Sequence, residues 1–136
     1  MGILPDSGSA GERLGRELVG WLTTVTASGR PQSSVVWFVV QDDAIYLQSQ
    51  AGAGKLSNIR ANRNVSFHLN SDEHGGEVVT IDGDAEILDA SPPDVRAAYL
   101  AKYERAIREQ LEITSDEMLA DYSTTVRITP KRVRTW

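Results

Sequence analysis

The chain of 136 residues contains no cysteine, which excludes disulfides, thiol nucleophiles and cysteine-based zinc or iron–sulfur centres. It has no run of the roughly 18 apolar residues that a membrane-spanning helix needs. Its opening, MGILPDSGSAGERLGREL, lacks a basic stretch leading into an apolar core, so no secretory signal is expected and a cytoplasmic location is. A basic excess is missing too: 14 Lys and Arg stand against 19 Asp and Glu, for a net charge of -5. A general nucleic-acid surface needs the opposite balance, so neither nucleic acid nor membrane is an expected partner. Gly-x-Ser-x-Gly does not occur, and nothing marks Asp72, Glu73 or Glu77 as a catalytic acid pair. His68 and His74 lack the helical i, i+4 spacing of a metal-binding pair, so no metal is expected.

What is present reads as a globular domain, with 40% hydrophobic and 24% charged residues. We take 1–136 as a single domain, with 1–10 as a flexible N-terminal arm. Leu14, Leu18 and Val19 give a short helical stripe over Glu12–Val19. Three β-prone runs follow near 21–27, 32–40 and 44–49, separated by Ser28-Gly29 and by Gln41-Asp42-Asp43, which makes a meander. Trp37 and Phe38 in the second run suit a core, or an aromatic platform. Strand signals resume at Val65–Leu69 and at EVVTIDGDAEIL, where Gly83 predicts a bulge or a close backbone approach. In SPPDVRAAYLAKYERAIREQLE, Ser91 can cap a helix, Pro92 suits its first position and Asp94 complements its N-terminus. Val95, Tyr99, Tyr103, Ile107 and Leu111 define its buried stripe. Thr114 and Glu117 form a capping box for a second short helix. The chain then returns to strand in YSTTVRI, turns at Thr129-Pro130 and finishes with RVRTW. Six or seven strands with short connections predict a mainly β fold with peripheral helices, antiparallel and barrel-like rather than βαβ.

The segment SQAGAGKLSNIRANRN carries the chemistry. It looks like half of a P-loop, but Ser49 stands at the first glycine position and Leu56 at the hydroxyl position. Gly52 and Gly54 still permit close approach to the backbone, Lys55 adds a charge, and a helix starting there presents free N–H groups. Lys55, Asn58, Ile59 and Asn62 fall on one helical face. A phosphate fits this arrangement; so does a glycine-rich connection into an exposed helix. The last ten residues, RITPKRVRTW, hold four basic side chains and no acid. They suit either a small anion or an edge strand protected from aggregation.

WLTTVTASGRPQSSVVWFV, GKLSNIRANRNVSF and VRITPKRVRTW, in that order, resemble the pyridoxamine-5'-phosphate-oxidase-like split β-barrel proteins, the FMN-binding-protein-like fold, in their deazaflavin-dependent branch. The resemblance runs from about residue 18 to Trp136. It implies a homodimer with a flavin or deazaflavin at the subunit seam and a small-molecule substrate. Ser33, Ser34, Val35, Val36 and Trp37 would then lie along the ring. Gln48, Ser49, Gln50, Lys55, Asn58 and Ile59 would hold the phosphate and ribityl chain, and Arg132 and Trp136 would border the pocket. The sequence lacks the oxidase's Arg-x-x-Leu-Lys clamp after the second strand, where Gln41-Asp42-Asp43 stands, and its Arg-Leu-x-x-Arg ending. The resemblance therefore points to coenzyme F420 as cofactor, and to an oxidoreductase transferring a hydride between the deazaflavin and a small organic acceptor. Arg60 and Arg63 would meet the cofactor's polyglutamate tail. FMN is the alternative cofactor, and a non-enzymatic haem or small-ligand carrier, with His68 as axial ligand, is the alternative class.

Overall fold

The computed structural model describes residues 2–136, in which seven antiparallel strands form one sheet in the order β2-β1-β5-β6-β7-β4-β3. The strands are β1 (Gly20–Val25), β2 (Pro31–Val36), β3 (Phe38–Gln41), β4 (Ala44–Ser49), β5 (Asn64–His68), β6 (Val79–Leu88) and β7 (Thr124–Thr135). The helices are α1 (Gly8–Arg16), α2 (Gly54–Ala61), α3 (Pro93–Ala106) and α4 (Ser115–Asp121). β2 and β3 are the two outer edges of the sheet, yet they are consecutive in the chain and joined at Trp37. The sheet must therefore curl until its edges meet, which gives the split half-barrel expected from the sequence.

The joint at Trp37 corrects the continuous strand expected over 32–40. Before it the chain pairs with β1, Val36 opposite Gly20; after it the chain pairs with β4, Phe38 opposite Leu47. The run Val35-Val36-Trp37-Phe38-Val39-Val40 is apolar throughout, so its composition conceals the change of partner. The backbone at the joint is satisfied from α3: Phe38 N–H donates to Tyr103 Oη at 2.8 Å, and Lys102 Nζ donates to Phe38 O at 2.8 Å. Tyr103 in turn donates to Leu18 O at 2.7 Å. Burial pushes the Lys102 ammonium down to about 8, with Glu17 opposing the shift. Burial likewise raises the Tyr103 phenol, against the effect of its backbone bond to Phe38.

Gly83 combines both of its expected roles. The β6–β7 register shifts between Asp82 and Gly83, so Asp82 faces Arg132 while Gly83 faces Pro130 and Lys131 is the extra residue. A Cβ at Gly83 would stand 2.5 Å from Thr129 O, which no side chain tolerates. Thr129-Pro130 is accordingly paired strand next to a bulge at Lys131, within one long strand, rather than a turn.

The interior of the curl is filled by Leu22, Phe38, Ile45, Leu47, Phe67, Ile81, Val126 and Ile128, none of them more than 1% exposed. On the opposite face of β3 and β4, Val39 and Tyr46 pack with Val95, Tyr99, Tyr103, Ile107, Met118 and Leu119. Leu111 leaves the expected stripe and is exposed, because α3 passes into a π-helical turn, Ile107–Leu111, whose longer repeat rotates it outward. Leu18 is exposed for a simpler reason: α1 has already ended at Arg16. The capping box of α4 is present, with Glu117 N–H donating to Thr114 Oγ1 and Thr114 N–H to Glu117 Oε1, both at 3.1 Å. Ser91 does not cap α3: Pro92 takes the N-cap position, Pro93 opens the helix, and the Ser91 hydroxyl bonds Thr125. Within the N-terminal arm, Leu4 is buried, and Ile3 and Leu4 N–H donate to the Asp43 carboxylate at 2.9 and 2.8 Å.

Candidate functional site

Three pieces converge on one cleft: the edge strand β2, the neighbouring β1, and the start of α2. The cleft has a volume of about 520 Å³ and is lined by Thr24, Gln32, Ser33, Ser34, Gly54, Lys55 and Asn58. α2 starts after Ala53 with no side-chain cap, and the amides of Gly54 and Lys55 have no acceptor among the described residues. A Cβ on Gly52 or Gly54 would meet nothing within 4 Å, so neither glycine is demanded by the chain's own packing. Open space beside free amides at a helix start suits an anion.

Lys55 is half-buried and forms no ion pair among the described residues; burial lowers its ammonium below the ordinary 10.5. A half-desolvated cation without a counter-charge gains from an incoming anion, which restores the lost solvation. Asn58 is 8% exposed and ties the helix to the sheet: its Nδ2 donates to Thr24 Oγ1 at 2.9 Å and to Gln32 Oε1 at 2.8 Å. Neither partner is legible from spacing, since they lie 34 and 26 residues away in sequence.

Of the expected site residues, the structure brings together Ser33, Ser34, Lys55 and Asn58. Val35 sits on the same edge strand, 49% exposed. Val36 and Ile59 are part of the core. Trp37 stacks on Tyr103, with ring centroids 4.4 Å apart and planes at 4°. Gln48, Ser49 and Gln50 lie elsewhere, at the end of β4. Gln48 Nε2 donates to Ser91 Oγ and Tyr122 O, and Thr125 Oγ1 donates to Gln48 Oε1. Ser49 is buried and bonds Gln50 O; Gln50 Nε2 bonds Asp121. Arg132 is exposed beside the β7 bulge. Trp136, 69% exposed, pairs its backbone with Val78 and lies near Ser9, Arg13 and Glu77. Thr24 and Gln32 are the cleft residues that sequence reasoning missed.

The histidines stand apart from the cleft. His68 Nδ1 donates to Leu69 O at 3.0 Å and its ring stacks at 6.3 Å on Trp21. His74 is exposed beside Glu73. Among the described residues no three His, Asp or Glu side chains gather as a metal site, and no helix is long and apolar enough to cross a membrane.

Residues 10–136 match the pyridoxamine 5'-phosphate oxidase family, and the chain belongs to it. No curated protein matches the sequence. Among solved structures, the chain is similar to the conserved hypothetical protein Rv2991 from Mycobacterium tuberculosis. That pair shares 27% identity and a TM-score of 0.68, over 87% of this chain and 76% of the other. It is similar also to HutZ, the heme storage protein from Vibrio cholerae, at 20% identity and a TM-score of 0.72, over 99% and 95% of the two chains. A third likeness is to an F420 reductase, at 22% identity and a TM-score of 0.68, over 90% and 94%.

Proposed function

We propose that the chain is a coenzyme F420-dependent oxidoreductase, acting as a homodimer, whose β2–α2 cleft receives the phosphate end of the deazaflavin. The observation that carries this reading is that Lys55 is the one cation among the residues lining the cleft. A phosphomonoester such as that of FMN carries about −1.5 to −2 charge at pH 7. The phosphate of F420, continued into a tail, is a diester with a single negative charge, which one ammonium balances. The free amides of Gly54 and Lys55 and the hydroxyl of Ser34 complete a donor set of the right chemistry, the Ser33 hydroxyl being paired with Thr23 Oγ1 at 2.7 Å. Membership of a family that includes oxidoreductases, and the likeness to an F420 reductase, support the same assignment.

When bound, a reduced deazaflavin supplies a hydride. The part of this chain is to hold and orient. Lys55 and the α2 amides anchor the anionic end, and Val35, exposed on the same edge strand, offers apolar surface to the ring or to a second copy. Arg60, exposed in the last turn of α2, is the cation we assign to the polyglutamate tail, because Arg63 already pairs with Asp84 at 3.6 Å. Positioning of this kind lowers a barrier without requiring an acid or base from the protein.

The test is a fluorescence titration of the purified protein with coenzyme F420 and, in parallel, with FMN, for the natural sequence and for Lys55→Ala. Tighter binding of F420 that weakens in the variant is the expected result. Preference for FMN would assign the protein to flavin chemistry, and binding of neither would overturn the reading.

A further inference from the structure

Resting on that reading of the cleft, we propose that Gln32 is a ligand-binding residue, and that Asn58 acts through it as a positioning residue rather than as a direct phosphate contact. The argument is a count of donors. The Asn58 amide nitrogen carries two protons, and both are committed within the chain, one to Thr24 Oγ1 at 2.9 Å and one to Gln32 Oε1 at 2.8 Å. Nothing on that nitrogen is left for an anion. Asn58 and Thr24 are 8% and 2% exposed, so the donating end of the asparagine is enclosed between α2 and β1.

The consequence falls on Gln32. Because its Oε1 is occupied as an acceptor for Asn58, its amide is fixed in one sense of rotation, with Nε2 directed away from the asparagine. That nitrogen has no acceptor among the described residues, and Gln32 is exposed where it lines the cleft. A glutamine held in this way presents its two N–H groups to the cleft, with its oxygen turned toward Asn58. It selects an oxygen-bearing group, a phosphate or carbonyl oxygen of the cofactor, and disfavours a ligand that offers a donor at that point. The triad of buried Thr24 and Asn58 with exposed Gln32 thus sets the polarity of the cleft's rim while Lys55 sets its charge. Holding the glutamine in advance spares the ligand the cost of ordering a flexible side chain.

The experiment compares binding of coenzyme F420 to the natural sequence, Gln32→Glu, Asn58→Leu, Gln32→Leu and the Asn58→Leu/Gln32→Leu double variant, with thermal melting of each. Gln32→Glu keeps the acceptor for Asn58 and replaces the outward donor by an acceptor. It should weaken binding at least tenfold with melting unchanged, since Gln32 is exposed. Asn58→Leu and Gln32→Leu should weaken binding by similar factors, and the double variant no more than either alone, because one acts through the other. F420 binding by Gln32→Glu as tight as that of the natural sequence would overturn the inference while leaving the cofactor reading intact. Additive losses in the double variant would overturn the positioning role of Asn58. Failure of the natural sequence to bind either F420 or FMN would remove the cofactor reading and this inference together.

Discussion

The β2–α2 cleft and the far end of β4 are both polar regions next to a short helix, and both were expected to hold the cofactor. Around Gln48 the side chains find partners inside the chain: Ser91, Tyr122 O and Thr125 close a network, and Gln50 pairs with Asp121 at the surface. Around Lys55 the ammonium, two helix-start amides and the Gln32 nitrogen have no such partners among the described residues. The difference separates a polar group that serves packing from one that is available for recognition. A satisfied buried network fixes the fold, whereas donors left unpaired beside open space are free to bond solvent or a ligand.

Mutations can sharpen this contrast. The largest effect is expected at Lys55. Lys55→Ala should lower F420 affinity by ten- to a hundredfold, about 1.4–2.8 kcal/mol, and leave the melting temperature where it was, as read by titration and calorimetry. Thr125→Val should do the reverse. It leaves Gln48 and Ser91 short of a partner at a site 1% exposed and should cost about 1–3 kcal/mol in denaturant unfolding, with F420 binding unchanged.

Lys102 offers a comparison by pH. Its folded value of about 8 lies below the ordinary 10.5. Below pH 8 both folded and unfolded chains carry the charge, and burial opposes it in the folded state. Between about pH 8 and 10.5 the folded chain releases the proton while the unfolded chain retains it, so this group's contribution to stability rises with pH. Relative to Lys102→Met, the natural sequence should gain about 1 kcal/mol per pH unit across that window in urea unfolding. The smallest effect belongs to the exposed pair of Gln50 and Asp121. Gln50→Ala should change stability by less than about 0.5 kcal/mol and leave F420 binding alone.

Much of the fold was legible because local patterns encode it. Thr114 and Glu117 name their cap by spacing, and Gly83 marks its bulge by having no side chain. Lys55 and Gly54 announced their loop by residue type. What remained hidden depends on partners distant in sequence. Nothing local distinguishes Gln48, consumed by Thr125, from Gln32, oriented by Asn58 with a donor to spare. Ser91 looked like a cap by type and place, but the second proline took the first helical position and the hydroxyl turned to Thr125 instead. The change of partner at Trp37 was invisible because the same apolar residues serve both sides of the joint.

The order of the strands also bears on how the chain emerges from the ribosome. β7 is the strand that links β6 to β4, and so joins the half containing β1, β2, β5 and β6 to the β3–β4 hairpin. Until β7 has been synthesised, β3 and β4 can pair with each other but not with the rest of the sheet. The nascent chain therefore carries an unpaired edge on β4 once residue 49 is made, and a second on β6 once residue 88 is made, two surfaces that invite a chaperone or a neighbouring chain before the last strand covers both.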